Sequence, residues 1–389
     1  MNLNGVFRWS LLALAGFALL GCTGHSRFST LEPVMAEERW FEAQRRWVFS
    51  PAYYAQAVAG HLGVVAKTKP IDDWLDGADL TEVQRQRLQR AQELRRFAVD
   101  VLGLPNNSSY TRFADLQRNA VVWNVVATPA LSLELHQWCY PFAGCVGYRG
   151  FYRQQAAEAF AAQLPPYWDV KLYPVSAYST LGWTQWMGGD PLLNTMLAFP
   201  EIELAELLFH ELAHQQVYVK GDTTFNESYA TAVERLGAQA WRALREHDPD
   251  FADVWSQHQQ WRQQRDDFQS LVRQTRAELG RLYARRANSQ DVNTLKQGKA
   301  DILQTFEQRY AQLQREWGGP GRFDAWVESP NNAMFGIEHA YNQWVPAFEQ
   351  LFENEGGNWT AFHAAVKALS RLPKAQRDQR LQTLMPAGR

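Results

Sequence analysis

The sequence has little net charge, few cysteines and no long apolar segment. Its 39 Lys and Arg against 41 Asp and Glu give a formal charge of −2 over 389 residues. Nucleic-acid binding usually needs a strongly basic face, so we expect no nucleic-acid partner. The mean hydropathy of −0.42 and the lack of any run of 18 apolar residues exclude a polytopic membrane protein. Aromatic side chains are plentiful (16 Trp, 14 Tyr and 21 Phe), which excludes a disordered chain.

The chain contains three cysteines, an odd number, and the first ends an apolar N-terminal segment. Arg8 precedes the apolar run from Leu11 to Leu20, which has the length and flanks of a secretory signal. The run ends in Leu-Leu-Gly-Cys22, which resembles the bacterial lipoprotein box. That resemblance implies a signal peptide over residues 1–21 and a membrane anchor through a lipid on Cys22. An ordinary signal peptide and an uncleaved anchor are the alternatives.

The residues after Cys22 predict where the chain is held. Thr23 stands where an Asp would retain a lipoprotein in the inner membrane of Gram-negative bacteria, so this resemblance favours the outer membrane, facing the periplasm. Residues 22–37 are polar and are interpreted as a tether.

In an oxidising periplasm we expect Cys139 and Cys145 to form a local disulfide. Two free thiols or two metal ligands are the alternatives.

The remaining chain alternates helical and strand-like patterns, which predicts a mostly helical α+β fold. The capping pair Thr81 and Gln84 predicts the start of one helix. Residues 255–317 are rich in Gln and Arg and free of proline, with apolar residues at three-to-four spacing. We interpret them as a helical hairpin, which serves as a strut, a cleft wall or a protein-partner surface. The predicted regions are a helical N-terminal region (38–117), strands with the catalytic helices (118–245), the inserted hairpin (246–320) and a C-terminal helical region packing on the core (321–389).

The strongest chemical signal is His210-Glu211-Leu212-Ala213-His214, the HExxH pattern. On a helix, positions four apart lie on one face, so both imidazoles can reach one zinc ion. Glu211 would then lie beside the metal and accept a proton from its water. The pattern predicts one Zn²⁺ per chain.

Catalytic zinc usually has a third protein ligand, and Glu227 is the candidate. It lies in the first turn of a second helix, after a turn at Gly221 to Thr224. Glu234, two helical turns further on, is a candidate for orienting a ligand histidine. The alternatives are an acid favoured by the helix dipole for Glu227 and a solvated acid for Glu234.

The segments HELAHQ and NESYATAVERLG resemble the zinc site of the aminopeptidase N family of gluzincins. The seven-residue spacing of Glu227 and Glu234 matches that family. The 12 residues between His214 and Glu227 form a shorter connector than that family has. A GAMEN-like segment is absent upstream, and Gly188-Gly189-Asp190 is a poor substitute. The acid that would hold a substrate's free amino group is therefore not identified. The resemblance implies a gluzincin-like zinc peptidase core with a small β-sheet.

Several further segments resemble a family of predicted bacterial aminopeptidases of the Gram-negative envelope. They occur in one order along most of the chain: SSYTRFADLQRNAVVWNVVATP, WCYPFAGCVGYRGFY, SAYSTLGW, DPLLNTML and FHELAHQQVYVKGDTTFNESYAT. That family's peptidase label rests largely on the HExxH site. The resemblance implies a zinc aminopeptidase acting on a peptide or protein substrate.

A zinc peptidase also needs a donor that stabilises the oxyanion. Tyr341, close to His339, is the first candidate, and Tyr178 and Tyr229 are others. For each, a core or rim aromatic is the competing interpretation. The strand around 175–181 is a candidate to pair with an extended substrate.

Two other functions are consistent with the sequence. One is an envelope endopeptidase or oligopeptidase. The other is a non-catalytic outer-membrane lipoprotein that binds a partner through the 255–317 hairpin.

Overall fold

The computed structural model describes residues 45–141, 144–177, 188–285, 291–337 and 343–386, and all of them belong to one compact unit. Among these residues, no helix has both the length and the apolar character that crossing a membrane requires. Several predictions lie outside the described residues: the signal peptide, the tether, Cys22, Tyr178, His339 and Tyr341.

The described strands are short and form three sheets of three strands each. They are β1 (Arg45–Trp47), β2 (Lys69–Pro70), β3 (Arg112–Ala114), β4 (Val122–Pro129), β5 (Gln137–Tyr140), β6 (Gly144–Val146), β7 (Arg149–Phe151), β8 (Trp168–Val175) and β9 (Leu192–Leu193).

The sheet with the longest strands has the order β7-β4-β8 and is antiparallel throughout. Its central strand β4 is rich in β-branched residues, which favour a pleated and buried backbone. Val122 pairs with Val175 of β8, and Trp123 pairs with Phe151 of β7. The sequence predicts strands within residues 118–245, and β4 to β9 lie in that range.

The other two sheets join residues that are distant in the chain. In the first, β1 runs parallel to β5, which pairs antiparallel with β6. Cys139 and Cys145 lie opposite each other in that pairing and are joined by a disulfide. In the second, β3 pairs with β2 and runs parallel to β9, which places Phe113 beside Leu192.

Helices make up most of the described chain. They are α1 (Pro51–Val65), α2 (Ile71–Asp76), α3 (Glu82–Asp100), α4 (Gln154–Ala161), α5 (Asn194–Leu197), α6 (Glu201–Gln216), α7 (Thr223–Leu244), α8 (Pro249–Ala284), α9 (Val292–Glu316), α10 (Asp324–Val327), α11 (Asn332–Ile337), α12 (Val345–Asn354), α13 (Trp359–Ser370) and α14 (Lys374–Leu384).

The N-terminal region differs from its prediction in one respect. Residues 38–117 were expected to be helical, yet β1, β2 and β3 interrupt the described part of that region. These two- and three-residue strands are stabilised by distant partners, which helical periodicity does not report. The helix start at Thr81 is confirmed, since Thr81 and Gln84 form the reciprocal capping box.

Helices α6 and α7 pack against each other in the main core. Leu208, Phe209 and Leu212 of α6 are fully buried. Gly237 of α7 allows this close packing, because a Cβ there would lie 2.7 Å from the Phe209 ring. The helix pair therefore forms a rigid support for the side chains that lie between the two helices.

Helices α8 and α9 form the hairpin predicted for 255–317, with a separate hydrophobic cluster. Phe268, Leu279, Phe306 and Tyr310 are buried in it. The short helix α11 contributes to the same cluster. A buried pair connects the hairpin to α6, since His258 Nε2 lies 3.1 Å from Glu206 Oε1.

Candidate metal centre

Helix α6 places His210 and His214 one turn apart on the side that faces α7. Their Nε2 atoms lie 3.1 Å apart, and the two rings meet almost at right angles. His214 is 6% exposed, so one of the two imidazoles is almost fully removed from solvent. Two nitrogens aimed at one point on a buried helix face are the beginning of a metal site.

Glu227 of α7 completes a group of three. Its Oε2 lies 3.3 Å from His210 Nε2, and its Oε1 lies 3.7 Å from His214 Nε2. One ligand atom from each residue falls within 4.8 Å of the others. Two imidazole nitrogens and one carboxylate are a donor set suited to zinc in a catalytic site.

The turn between the helices determines where Glu227 lies. Asn226 accepts a hydrogen bond from Val219 N and donates one to Val219 O, both at 2.8 Å. The sequence placed Glu227 in the first turn of this helix, but α7 begins at Thr223 because Asp222 caps it, so Glu227 lies in the second turn. The clamp through the adjacent Asn226 fixes the preceding loop relative to this part of the helix.

A second contact stabilises the same helix end. Asp222 Oδ1 accepts a hydrogen bond from Phe225 N and caps α7. Its other carboxylate oxygen, Oδ2, is bonded by the buried Arg377 of α14. Burial would raise the pKa of Asp222, but the bonds from Arg377 outweigh this effect and lower it.

Glu234 holds the far nitrogen of His210. Its Oε2 lies 2.9 Å from His210 Nδ1, which directs Nε2 towards Glu227 and His214. This is the contact expected of a carboxylate that orients a ligand histidine. The structure therefore brings Glu234 to the position that its predicted role requires. The Nδ1 of His214, in contrast, is buried and has no hydrogen-bond partner among the residues that the structure describes.

The charges of this cluster are strongly coupled. Burial disfavours the charged form of His210, but its hydrogen bonds to the carboxylates of Glu227 and Glu234 raise its pKa well above the usual value. Burial would raise the pKa of Glu227, whereas the bonds from His210 and His214 lower it to about 2. The Glu227 carboxylate is thus held ionised, and a bound cation would take the place of the proton on His210.

Glu211 is half-buried beside this cluster. Burial raises its pKa above the usual range, His210 and His214 oppose this, and the charges of Glu227 and Asp190 add to it. A carboxylate with a raised pKa next to a donor cluster is suited to accepting and releasing a proton.

A polar network lies next to helix α6. Gln215 Nε2 donates to Asp190 Oδ2 and to Ser109 Oγ, both at 3.2 Å, and Asn107 donates to Gln215 at 2.7 Å. Asp190 is 1% exposed, so it is part of the support of α6. The Gly188-Gly189-Asp190 segment therefore lies near Glu211, but Asp190 is not at a surface that a substrate can reach.

Tyr148 is a candidate residue that the sequence interpretation missed. It lies between β6 and β7, three residues after Cys145, and is 42% exposed. The side chain is partly exposed, but desolvation of its phenol group, and then the nearby Tyr173 and Glu227, raise the pKa of the hydroxyl to about 12, so it stays protonated at neutral pH. The signal available in the sequence was its place in the cysteine segment.

The structure argues against one of the tyrosines predicted as oxyanion donors, and it does not describe the other two. The Tyr229 hydroxyl lies 2.8 Å from His363 Nδ1 inside the core, so this residue is structural. Tyr341, His339 and Tyr178 lie outside the described residues, as does most of the 175–181 segment proposed to pair with substrate. Tyr218, half-exposed beside the His214 ring, is a further phenol close to the site.

The comparisons with known proteins concern the family of the chain. A family model described as "Putative aminopeptidase" matches residues 52–381, a range that includes His210, His214 and Glu227. No curated protein and no solved structure matches the chain. The match covers most of the sequence, and the chain therefore belongs to the family described as "Putative aminopeptidase".

Proposed function

We propose that this protein is a zinc-dependent metallopeptidase of the gluzincin type that removes N-terminal residues from peptides. The observation that carries the proposal is the convergence of His210, His214 and Glu227 on one point, with Glu211 beside them. A structural zinc site has no need of such a base.

The donor set fits a zinc ion on three counts. Both histidines offer the same ring nitrogen, Nε2, to one point. Glu234 fixes the ring of His210 through its other nitrogen. Glu227 is ionised, as a carboxylate ligand must be. We expect one ion per chain, held by these three residues.

Each residue then has a distinct part in peptide hydrolysis. A zinc ion bound here would supply a water of lowered pKa and a Lewis acid for the scissile carbonyl. Glu211 accepts the proton of the attacking water and passes it to the leaving nitrogen. The protonated hydroxyl of Tyr148 donates a hydrogen bond to the developing oxyanion.

The choice of aminopeptidase over endopeptidase is supported by the family description. An aminopeptidase must recognise a free α-ammonium group, whereas an endopeptidase accepts a blocked N-terminus. Hydrolysis of matched peptides with free and acetylated N-termini separates the two activities. Cleavage of both at equal rates would replace the aminopeptidase by an oligopeptidase.

We further propose that the enzyme acts in the periplasm of a Gram-negative bacterium, anchored to the outer membrane by a lipid on Cys22. This part is supported by the N-terminal sequence and by the disulfide between Cys139 and Cys145, which suits an oxidising compartment. Mass spectrometry of the N-terminal peptide tests it, because lipidation predicts a blocked and acylated Cys22.

Replacement of Glu211 tests the mechanism. Glu211→Gln removes the base but no proposed ligand, so we expect unchanged zinc content and a kcat reduced by about 10²- to 10⁴-fold. His214→Ala is the comparison, because it should lose both zinc and activity. Wild-type turnover in Glu211→Gln would refute the mechanism, and failure of the wild-type protein to retain zinc would refute the metal site.

A further inference from the structure

Helix α1 (Pro51–Val65) presents an apolar face to solvent. Its inner side packs on the protein, since the Tyr53 ring contacts Phe151 and a Cβ at Gly60 would overlap the Tyr152 ring. Its outer side is exposed and carries Ala52, Ala55, Val58, Ala59 and Leu62. A surface helix normally has polar residues on this side, so the pattern is the reverse of the usual one.

Two aromatic residues just before the helix add to the exposed apolar area. Trp47 is 55% exposed and Phe49 is 78% exposed, and their rings stack with centroids 6.1 Å apart. On the helix, Val58 and Leu62 are 59% and 50% exposed. Trp47, Phe49, Ala55, Val58, Ala59 and Leu62 together are called the α1 face below. Clustered apolar exposure of this kind marks an interaction surface.

The charged residues that flank α1 most closely along the chain are basic. Arg45 and Arg46 precede it, Lys67 and Lys69 follow it, and all four are exposed. The sequence contains no acidic residue between Glu42 and Asp72. An apolar strip with cations at both ends is complementary to a surface that is apolar inside and anionic outside.

We propose that the α1 face lies in the interface of a lipid bilayer with anionic headgroups. With 15 residues, α1 is about 22 Å long, too short to span a hydrocarbon core of about 30 Å. Trp and the basic residues are the side chains that anchor such helices at the headgroup level. The identity of the membrane rests on the proposed envelope location. The proposal does not depend on peptidase activity.

Cysteine labelling of the full chain tests the contact. Val58→Cys places a thiol in the α1 face, and Val83→Cys places one on α3 at a matched exposure of 57%. Each variant is reacted with a membrane-impermeant maleimide, free and with vesicles of phosphatidylethanolamine and phosphatidylglycerol. The lipid on Cys22 would not by itself protect position 58, because residues 23–44 separate the anchor from the described chain.

We expect vesicles to slow labelling of Val58→Cys about tenfold and to leave Val83→Cys unchanged, since a face covered about nine-tenths of the time reacts about one-tenth as fast. Equal labelling of Val58→Cys with and without vesicles would overturn the proposal. Slow labelling without vesicles would also overturn it, because a segment of this chain or a second copy would then cover the face. Equal protection by phosphatidylcholine vesicles would overturn the role assigned to the four cations. Peptide hydrolysis by the same samples tests the proposed function separately.

Discussion

Two helix pairs of this protein differ in the kind of side chain that meets between their helices. Between α6 and α7, the ionisable side chains of His210, His214, Glu227 and Glu234 meet within hydrogen-bonding distance of one another. Between α8 and α9, the contacts are made by aromatic and aliphatic side chains such as Phe268 and Phe306. The buried Thr275 satisfies its hydroxyl on its own helix, at Leu271 O.

The difference separates what stabilises the fold from what the proposed chemistry needs. Burial of apolar surface favours the hairpin, and its sequence shows this as a regular stripe. Buried ionisable groups cost free energy unless they are paired, so the α6–α7 cluster is held by the surrounding packing. We therefore expect substitutions in the hairpin to affect mainly stability, and substitutions in the cluster mainly activity.

The largest effect on stability should come from the hairpin. Phe306→Ala leaves a cavity in its cluster and should lower the free energy of unfolding by about 3–5 kcal/mol. Urea unfolding measures this loss, while kcat of the folded variant should match the wild type. A parallel loss of zinc would contradict the separation and would indicate that the hairpin supports the site through Glu206 and His258.

The second effect concerns catalysis alone. Tyr148→Phe removes a half-exposed hydroxyl and should lower kcat about 10²-fold while zinc content and unfolding are unchanged. Tyr218→Phe is the matched control, because its ring lies beside His214 and is similarly exposed. If Tyr218→Phe loses the activity and Tyr148→Phe keeps it, the oxyanion donor has been assigned to the wrong phenol.

The smallest expected effect lies in the support of the metal ligands. Glu234→Gln removes the charge that orients His210 and should weaken zinc binding about 10- to 100-fold. Competition with a zinc chelator measures this affinity. Glu349→Gln serves as the control, since Glu349 pairs with the adjacent Arg235 and contacts none of the ligands. Equal zinc affinity of wild type and Glu234→Gln would contradict the positioning role.

Sequence reasoning was most successful where a feature depends on residues close together in the chain. The four-residue spacing of His210 and His214 predicts their shared helix face, and the turn chemistry at Asp222 predicts the reversal towards Glu227. The regular stripe of the hairpin predicts both of its helices. These features depend on neighbours a few positions away, and the structure has the helices where they were expected.

The rest depends on contacts between distant parts of the chain. Tyr148 lies near Glu227 because β7 pairs with β4 and β6 with β5, and no local pattern reports these pairings. Asp190 comes close to Glu211 through a side-chain network with Gln215 and Ser109. The α1 face was not predicted either. An apolar helical sequence predicts burial, and only the structure shows which side of the helix is exposed.

The bond between Asp222 and Arg377 has a consequence for the order in which the protein is completed. The proposed ligands span only 18 positions of sequence, but the cap that holds the ligand-bearing end of α7 is bonded 155 positions further along the chain. During synthesis, His210, His214 and Glu227 emerge long before α14, so the final geometry of the cluster depends on the last described helix. A nascent or C-terminally truncated chain therefore carries every proposed ligand without the support that holds them in place.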